Sequence, residues 1–179
     1  MSRKILIISS TPRDKGNSEV LCQEFARGAR ESGNSVVHTV LRNKTIQSCK
    51  GCLVCLKHGK CLFQDDMNSI QKDFLTADVI VMATPVYFYS ISAQLKAVID
   101  RTVPIYSQMK KKEFYFILTA TDGNKANMNT AVACIRGFTD GCLENSVERG
   151  ILYGTGLQNI GAAEKSKFMI EAFQMGKEV

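Results

Sequence analysis

Two stretches of this chain hold residues whose types and spacing can do chemistry. The first is Cys49, Cys52, Cys55 and Cys61, a C-x2-C-x2-C-x5-C arrangement. A loop with the C-x2-C-x2-C core wraps three corners of a cuboidal [4Fe-4S] centre, the fourth ligand coming from elsewhere, here Cys61. Four close thiolates also suit structural zinc, and the same residues left unligated are free or redox-active thiols. The spacing leaves these three chemistries open. The second stretch, Ser9-Ser10-Thr11-Pro12-Arg13-Asp14-Lys15-Gly16-Asn17-Ser18, offers hydroxyls, backbone amides and the fixed cation of Arg13. Such residues also build ordinary turns. Their position between the first apolar run and an amphipathic helix points instead to an anion, because helix N–H groups there face the loop. No G-x-G-x-x-G and no Gly-Lys-Ser/Thr pair is present, so neither a Rossmann dinucleotide site nor a P-loop fits.

The elements that must position these residues alternate. Lys4-Ile5-Leu6-Ile7-Ile8 reads as a strand buried on both faces, and Cys22, Phe25, Ala26 and Ala29 mark the inner face of the following helix. Ser35 to Leu41 gives a second strand, followed by the cysteine loop and a helix opened by Asp65-Asp66, with Asp66 as N-cap and Met67, Ile70 and Phe74 inward. A third strand over residues 79–83 ends at Thr84-Pro85, and a helix bearing Leu95, Val98, Ile99 and Thr102 follows Ser92. A fourth strand, residues 114–118, leads through a polar loop to a helix with Met128, Ala131, Val132, Ile135 and Phe138 aligned. Residues 147–153 form the last strand and residues 162–173 the last helix, with Met169, Ala172 and Phe173 inward. The alternation predicts a parallel sheet. Five strands and five helices with right-handed crossovers give an α/β fold, a three-layer αβα sandwich of strand order 2-1-3-4-5.

At 179 residues one domain spanning 1–179 is expected. No apolar segment approaches a membrane span, and Met-Ser-Arg-Lys leads directly into a strand, so a cytoplasmic protein without membrane partners is expected. Seven cysteines without an export signal read as thiols or ligands rather than disulfides. Cys22, Cys134 and Cys142 lie in or near helices and read as small hydrophobes, while neither His38 nor His58 is assigned catalysis. The net charge of +6 has its densest run at Lys110-Lys111-Lys112, which suits a helix end or turn. Nucleic acid is not an expected partner. The ligand crevice of such a sheet lies at the carboxyl ends of strands one and three, where three polar loops converge. It asks for a phosphate at the first loop and a flat, mostly apolar body near Pro85-Val86-Tyr87-Phe88-Tyr89. A flavin mononucleotide has that shape.

The sequence resembles the NADPH-dependent FMN reductase family of flavodoxin-like proteins. The family pattern Gly-Ser-Pro-Arg followed by Gly-Asn-Thr or Gly-Asn-Ser falls on Ser10-Thr11-Pro12-Arg13 and Gly16-Asn17-Ser18. The run from Thr84 to Arg101 and the cysteine loop ending in Asp65-Asp66-Met67 extend the likeness over most of the first hundred residues. The resemblance implies that Thr11, Arg13, Asn17 and Ser18 hold the FMN phosphate and that Pro85, Val86, Tyr87 and Phe88 contact the isoalloxazine. Thr119, Thr121, Asp122 and Gly123 form the third cofactor loop, which lacks the family's early glycine. Ser10 stands where Gly is usual, and Tyr89 where a small residue is common. The cysteine spacing resembles the iron–sulfur flavoproteins, a branch that pairs FMN with a [4Fe-4S] cluster; other relatives with similar loops carry flavin alone.

The implied activity is hydride transfer from NADH or NADPH to flavin N5, then release of reducing equivalents to a quinone, free flavin or other acceptor. It calls for no catalytic side chain. With a cluster, the protein becomes an electron carrier with a ferredoxin-like partner. A reading of another class is a flavin-based redox sensor that turns nothing over. The resemblance also implies a homodimer or homotetramer.

Overall fold

Successive residues of a strand face opposite sides of the sheet, and the central strands here carry apolar side chains on both sides. They must therefore be covered twice. The computed structural model describes residues 2–179. Five parallel strands, β1 (Lys4–Ser9), β2 (Ser35–Val40), β3 (Val79–Pro85), β4 (Glu113–Thr119) and β5 (Val147–Gly154), form one sheet in the order β2-β1-β3-β4-β5. The expected order and sandwich are both observed. On one face Ile5, Ile7, Val79, Val81 and Ile117 pack beneath α1 (Asn17–Glu31) and α6 (Phe168–Lys177). On the other, Leu6, Ile8, Ile80, Met82 and Phe116 meet α3 (Met67–Thr76), α4 (Ala93–Asp100) and α5 (Asn129–Cys142). No described helix is long and apolar enough to cross a membrane.

Several boundaries differ from the sequence expectation. A short extra helix, α2 (Val54–His58), forms inside the cysteine loop and raises the α-helix total among the described residues to six. The helix after Ser92 ends at Asp100, so Thr102 lies beyond it, and Ser92 caps it by accepting from the Leu95 N–H at 3.3 Å. The last helix starts at Phe168 because residues 163–165 form a separate 3-10 turn. Asp66 stands at the start of α3, yet it is Asp65 that accepts from the Met67 N–H at 3.1 Å. Asp66 has other partners, the Thr45 N–H at 2.7 Å and Lys44 at 3.3 Å. Of the lysine run, Lys112 caps α3 through the Leu75 and Ala77 carbonyls at 2.8 and 2.6 Å. Cys22 is fully buried in the core, whereas Cys142 is exposed on the last turn of α5.

The seat of α1 is fixed by close backbone contact with α6. A Cβ on Gly28 would overlap the Phe173 carbonyl oxygen, and one on Gly176 the Phe25 carbonyl oxygen. We expect Gly176→Ala to lower the stability read from urea unfolding by about 1–3 kcal/mol. Gly137→Ala, where a Cβ meets nothing within 4 Å, should leave it unchanged or raise it by up to about 1 kcal/mol.

Candidate functional site

The first turn of α1 begins just beyond the carboxyl end of β1. Glu19 and Val20 donate to the Gly16 carbonyl at 2.9 and 3.1 Å, which leaves the amides of Asn17 and Ser18 free at the helix end. Ser18 Oγ is buried and has no hydrogen-bond partner, an exception in a protein interior that calls for one. Gly16 must lack a side chain because a Cβ there would overlap Thr11 Oγ1. Arg42 braces the loop from outside, donating to the Arg13 carbonyl at 2.8 Å, Glu19 at 2.7 Å and Asp14 at 2.9 Å. Arg13 itself spends one donor on the Gln158 carbonyl at 2.8 Å. Its other guanidinium donors stay at the mouth.

Thr11, Arg13, Asn17, Pro85, Tyr87 and Thr119 line a cleft of about 50 Å³. A second cleft of about 220 Å³ shares Val86, Ala120 and Thr121 with it and is closed by Phe88, Tyr89 and Asp122. The walls are tied together by backbone bonds. Val86 N donates to the Thr119 carbonyl at 2.8 Å, Ala120 N to Gly154 at 2.9 Å and Leu157 N to Ala120 at 2.8 Å. Tyr87 and Ser90 exchange bonds of 2.9 Å across a tight turn whose central residues, Phe88 and Tyr89, both have left-handed backbone, φ 46° and 62°. Two adjacent non-glycine residues in that region cost on the order of 1–3 kcal/mol each and are typical of functional sites. The turn holds Phe88 wholly exposed at the cleft rim. Asp122 accepts from Asn124 N at 2.7 Å and from the Asn127 side chain; these bonds hold its carboxyl below the ordinary range.

The structure thus brings together Thr11, Arg13, Asn17, Pro85, Val86, Tyr87, Thr119 and Thr121, with Phe88 and Asp122 at the rim. Ser10 is elsewhere, buried beneath the loop, where it donates to the Ala83 carbonyl at 2.8 Å and accepts from Ser92 Oγ at 2.8 Å. That hydroxyl pair ties β1 to the start of α4, a link that the usual glycine lacks. Gly16, Ser18 and Gly123 line neither cleft, Gly16 and Ser18 lying beneath the first one at the start of α1. The Asn17 side chain is fully engaged, donating to the Leu157 and Asn159 carbonyls at 3.1 and 2.9 Å and accepting from Ala163 N at 3.1 Å. Its side chain is thus spent within the chain, which leaves only its backbone amide unbonded. The loop after β5, with Leu157 and Gln158 in the wall, was not among the expected site residues. The rule that selects loops beyond strand carboxyl ends applies to it equally, and Gly154 and Gly156 mark its turn.

The cysteine segment forms a separate cavity of about 230 Å³ onto which Cys49, Cys52, Cys55 and Cys61 all open, walled by Phe63 and Val103. Left-handed backbone at Gly51, Leu53 and Gly59, φ 65°, 57° and 68°, turns the loop around it. All four thiols are free. Among the described residues no three His, Cys, Asp or Glu side chains converge on a point that could hold a single metal ion. The four cysteines line one shared cavity. The segment is docked by a buried ion pair in which Arg101 donates to both Asp65 oxygens, at 2.8 and 3.0 Å, and to the Gln47 carbonyl at 2.7 Å. Burial alone would raise the Asp65 carboxyl, but bonds from Arg101 and from the Gln47 and Met67 amides outweigh it and hold it below the usual range.

The family model for NADPH-dependent FMN reductase matches residues 3–135. The chain belongs to that family. Among curated relatives, an iron-sulfur flavoprotein of Methanocaldococcus jannaschii is 38% identical over 102 residues, covering 57% of this chain and 53% of the relative. A Bacillus subtilis protein named as an NAD(P)H-dependent FMN-containing oxidoreductase is 30% identical over 134 residues, covering 68% of this chain and 69% of its own. The chain spans about half the length of the archaeal flavoproteins it matches. The NAD(P)H:quinone oxidoreductase of Methanothermobacter marburgensis shares the fold, with a TM-score of 0.76 at 15% identity over 99% of this chain and 97% of that one. These matches agree with the flavodoxin-like architecture of the family.

Asn17→Ala removes three bonds that hold the loop after β5 against the start of α1. The expected result is a loss of about 1–3 kcal/mol in unfolding free energy and faster amide exchange over residues 157–163.

Proposed function

We propose that residues 1–179 act as a single FMN-binding domain that passes reducing equivalents from NADH or NADPH through bound FMN to a small acceptor such as a quinone or free flavin. The observation that carries this reading is the buried, unpartnered hydroxyl of Ser18 beside two free amides at the start of α1, a donor set suited to a phosphomonoester. Thr11 and Arg13 complete the phosphate seat. Pro85, Val86 and Tyr87 form one wall for the isoalloxazine, Thr119 and Thr121 the other, and Phe88 and Asp122 stand at its mouth. When bound, FMN supplies the two-electron exchange with the nicotinamide. The protein's own work is to fix the phosphate, hold the ring between the two loops and leave one face open to the nicotinamide and the acceptor. Seven unpaired thiols fit a reducing, cytoplasmic setting, and the exposed aromatic turn fits a homo-oligomer that covers it.

Ser18→Ala separates binding from folding. Loss of a hydrogen bond to a charged group is worth about 1.5–3 kcal/mol, so the FMN dissociation constant should rise roughly tenfold to a hundredfold by fluorescence titration. Urea stability should not fall, since the hydroxyl has no partner in the chain. Unchanged FMN affinity contradicts the seat. Steady-state oxidation of NADH or NADPH with a quinone separates this enzyme from a flavin-based sensor, which sustains no turnover.

The cysteine cavity favours a second, compatible reading, in which a [4Fe-4S] cluster held by Cys49, Cys52, Cys55 and Cys61 makes the protein an electron carrier. The donor set is four thiols around one apolar cavity, and the similar archaeal proteins are named iron-sulfur flavoproteins. Protein purified without oxygen should then show a broad brown shoulder beside the two flavin bands and about four irons per chain. Two resolved bands without iron leave flavin alone.

A further inference from the structure

We propose that the outer face of the cysteine loop docks on an anionic membrane surface, its exposed leucines entering the headgroup layer and its lysines pairing with lipid phosphates. The inference concerns the outside of the loop and holds with or without a cluster inside it. Between Glu31 and Asp65 the chain carries Arg42, Lys44, Lys50, Lys57 and Lys60 and not one carboxylate. Lys50, Lys57 and Lys60 are exposed and take part in none of the ion pairs among the described residues. The carboxylates that border the loop are neutralised locally, Asp65 by Arg101, Asp66 by Lys44 and Asp100 by Lys96. The face is therefore a region of uncancelled positive charge.

Large apolar side chains stand among these cations. Leu53, Leu56 and Leu62 are 60%, 60% and 65% exposed. Leu53 is displayed from left-handed backbone, φ 57°, where a residue with a side chain is at a disadvantage against glycine. Leu53 and Leu62 border the cysteine cavity, Leu56 and Tyr106 border a neighbouring apolar cavity of about 500 Å³, and Val103 lines both. The apolar surface is thus continuous across the two. A face of leucine and lysine differs from a typical protein interface, which is enriched in aromatic residues and Arg and depleted in Lys. It has the composition of segments that lie in the plane of a bilayer interface, with apolar side chains inward and ammonium groups at headgroup level. No described helix can cross a membrane, and surface docking needs none. For an oxidoreductase whose acceptor is a quinone, such contact gives access to quinones dissolved in lipid; that consequence alone rests on the reading above.

Co-sedimentation of the purified protein with vesicles tests the proposal, using phosphatidylcholine alone and phosphatidylcholine mixed equally with phosphatidylglycerol. The protein should pellet with the anionic vesicles and not with the neutral ones, and the bound fraction should fall as salt rises. Lys57→Gln/Lys60→Gln should lower partitioning roughly tenfold to thirtyfold, since each lysine at an anionic surface contributes about a fivefold factor. Lys165→Gln/Lys177→Gln removes the same charge from exposed positions on the α1 and α6 side of the sheet and should lower it less than about threefold. Leu56→Asn/Leu62→Asn changes no charge and should also lower it about tenfold, through lost burial of apolar surface. Equal losses from the two lysine pairs, or a leucine pair that binds as the natural chain does, reduce the effect to the overall charge of +6 and overturn the proposal. Protein that pellets with no vesicle overturns it too, and retention on immobilised polyglutamate in that case assigns the face to an acidic protein. Urea unfolding verifies that each variant is folded, and NADH oxidation with a water-soluble quinone is read separately, so loss of docking and loss of the proposed activity are told apart.

Discussion

Two backbone amides and one hydroxyl at the start of α1 have no acceptor among the described residues, and the rest of the site is arranged around keeping them so. A helix end carries partial positive charge concentrated in its first turn, so an anion seated there gains from the helix dipole as well as from direct hydrogen bonds. The neighbouring groups that might have satisfied these donors are occupied elsewhere. Glu19, an acid in the same turn, is held by Arg42. The Asn17 amide group is spent on the loop after β5, and Thr11 folds over a position that only glycine can fill. Interhelical contact too close for a Cβ keeps α1 from sliding along α6. Together these fix the direction in which the free donors point.

The cysteine segment is a second device attached to the same sheet. It leaves the edge strand β2 and returns at α3, so it does not interrupt the sheet and its loop conformation is set locally by left-handed turns. It is secured to the body by the bidentate ion pair between Asp65 and Arg101, the latter just past the end of α4, by the Arg101 bond to the Gln47 carbonyl and by Ile46 against the core. Because Ser92 at the other end of α4 is bonded to Ser10, buried beneath the loop after β1, one short helix joins the cysteine cavity to the cleft at the strand carboxyl ends.

Much of this was legible in the residues because the central strands are unambiguous. Ile5 to Ile8 and Val79 to Ala83 are apolar on both faces, which forces a doubly covered parallel sheet and hence a crevice at the strand carboxyl ends. The motif over residues 10–18 falls at the carboxyl end of β1, where the structure places the loop before α1. Local propensity failed where long-range partners decide the outcome. Asp66 reads as the cap of α3, but Thr45 claims its carboxylate, and Asp65, held by Arg101 36 residues on, takes the Met67 N–H instead. Asn17 reads as a ligand from its motif, but its side chain answers carbonyls about 140 residues away. Ser10 looks like a loop residue and is an interior link between two strands and a helix. The short helix within the cysteine loop has no amphipathic period to announce it and is framed only by Leu53 and Gly59 in left-handed conformation.

The central claim is that the free donors at the start of α1 receive a phosphate, and side-by-side titration of the apoprotein with FMN and riboflavin tests it most directly. The two ligands share the ring and differ in the phosphate alone. If that group takes the Ser18 hydroxyl and the two amides, FMN should bind at least about a hundredfold more tightly than riboflavin at moderate salt. Equal affinity for the two would contradict the account.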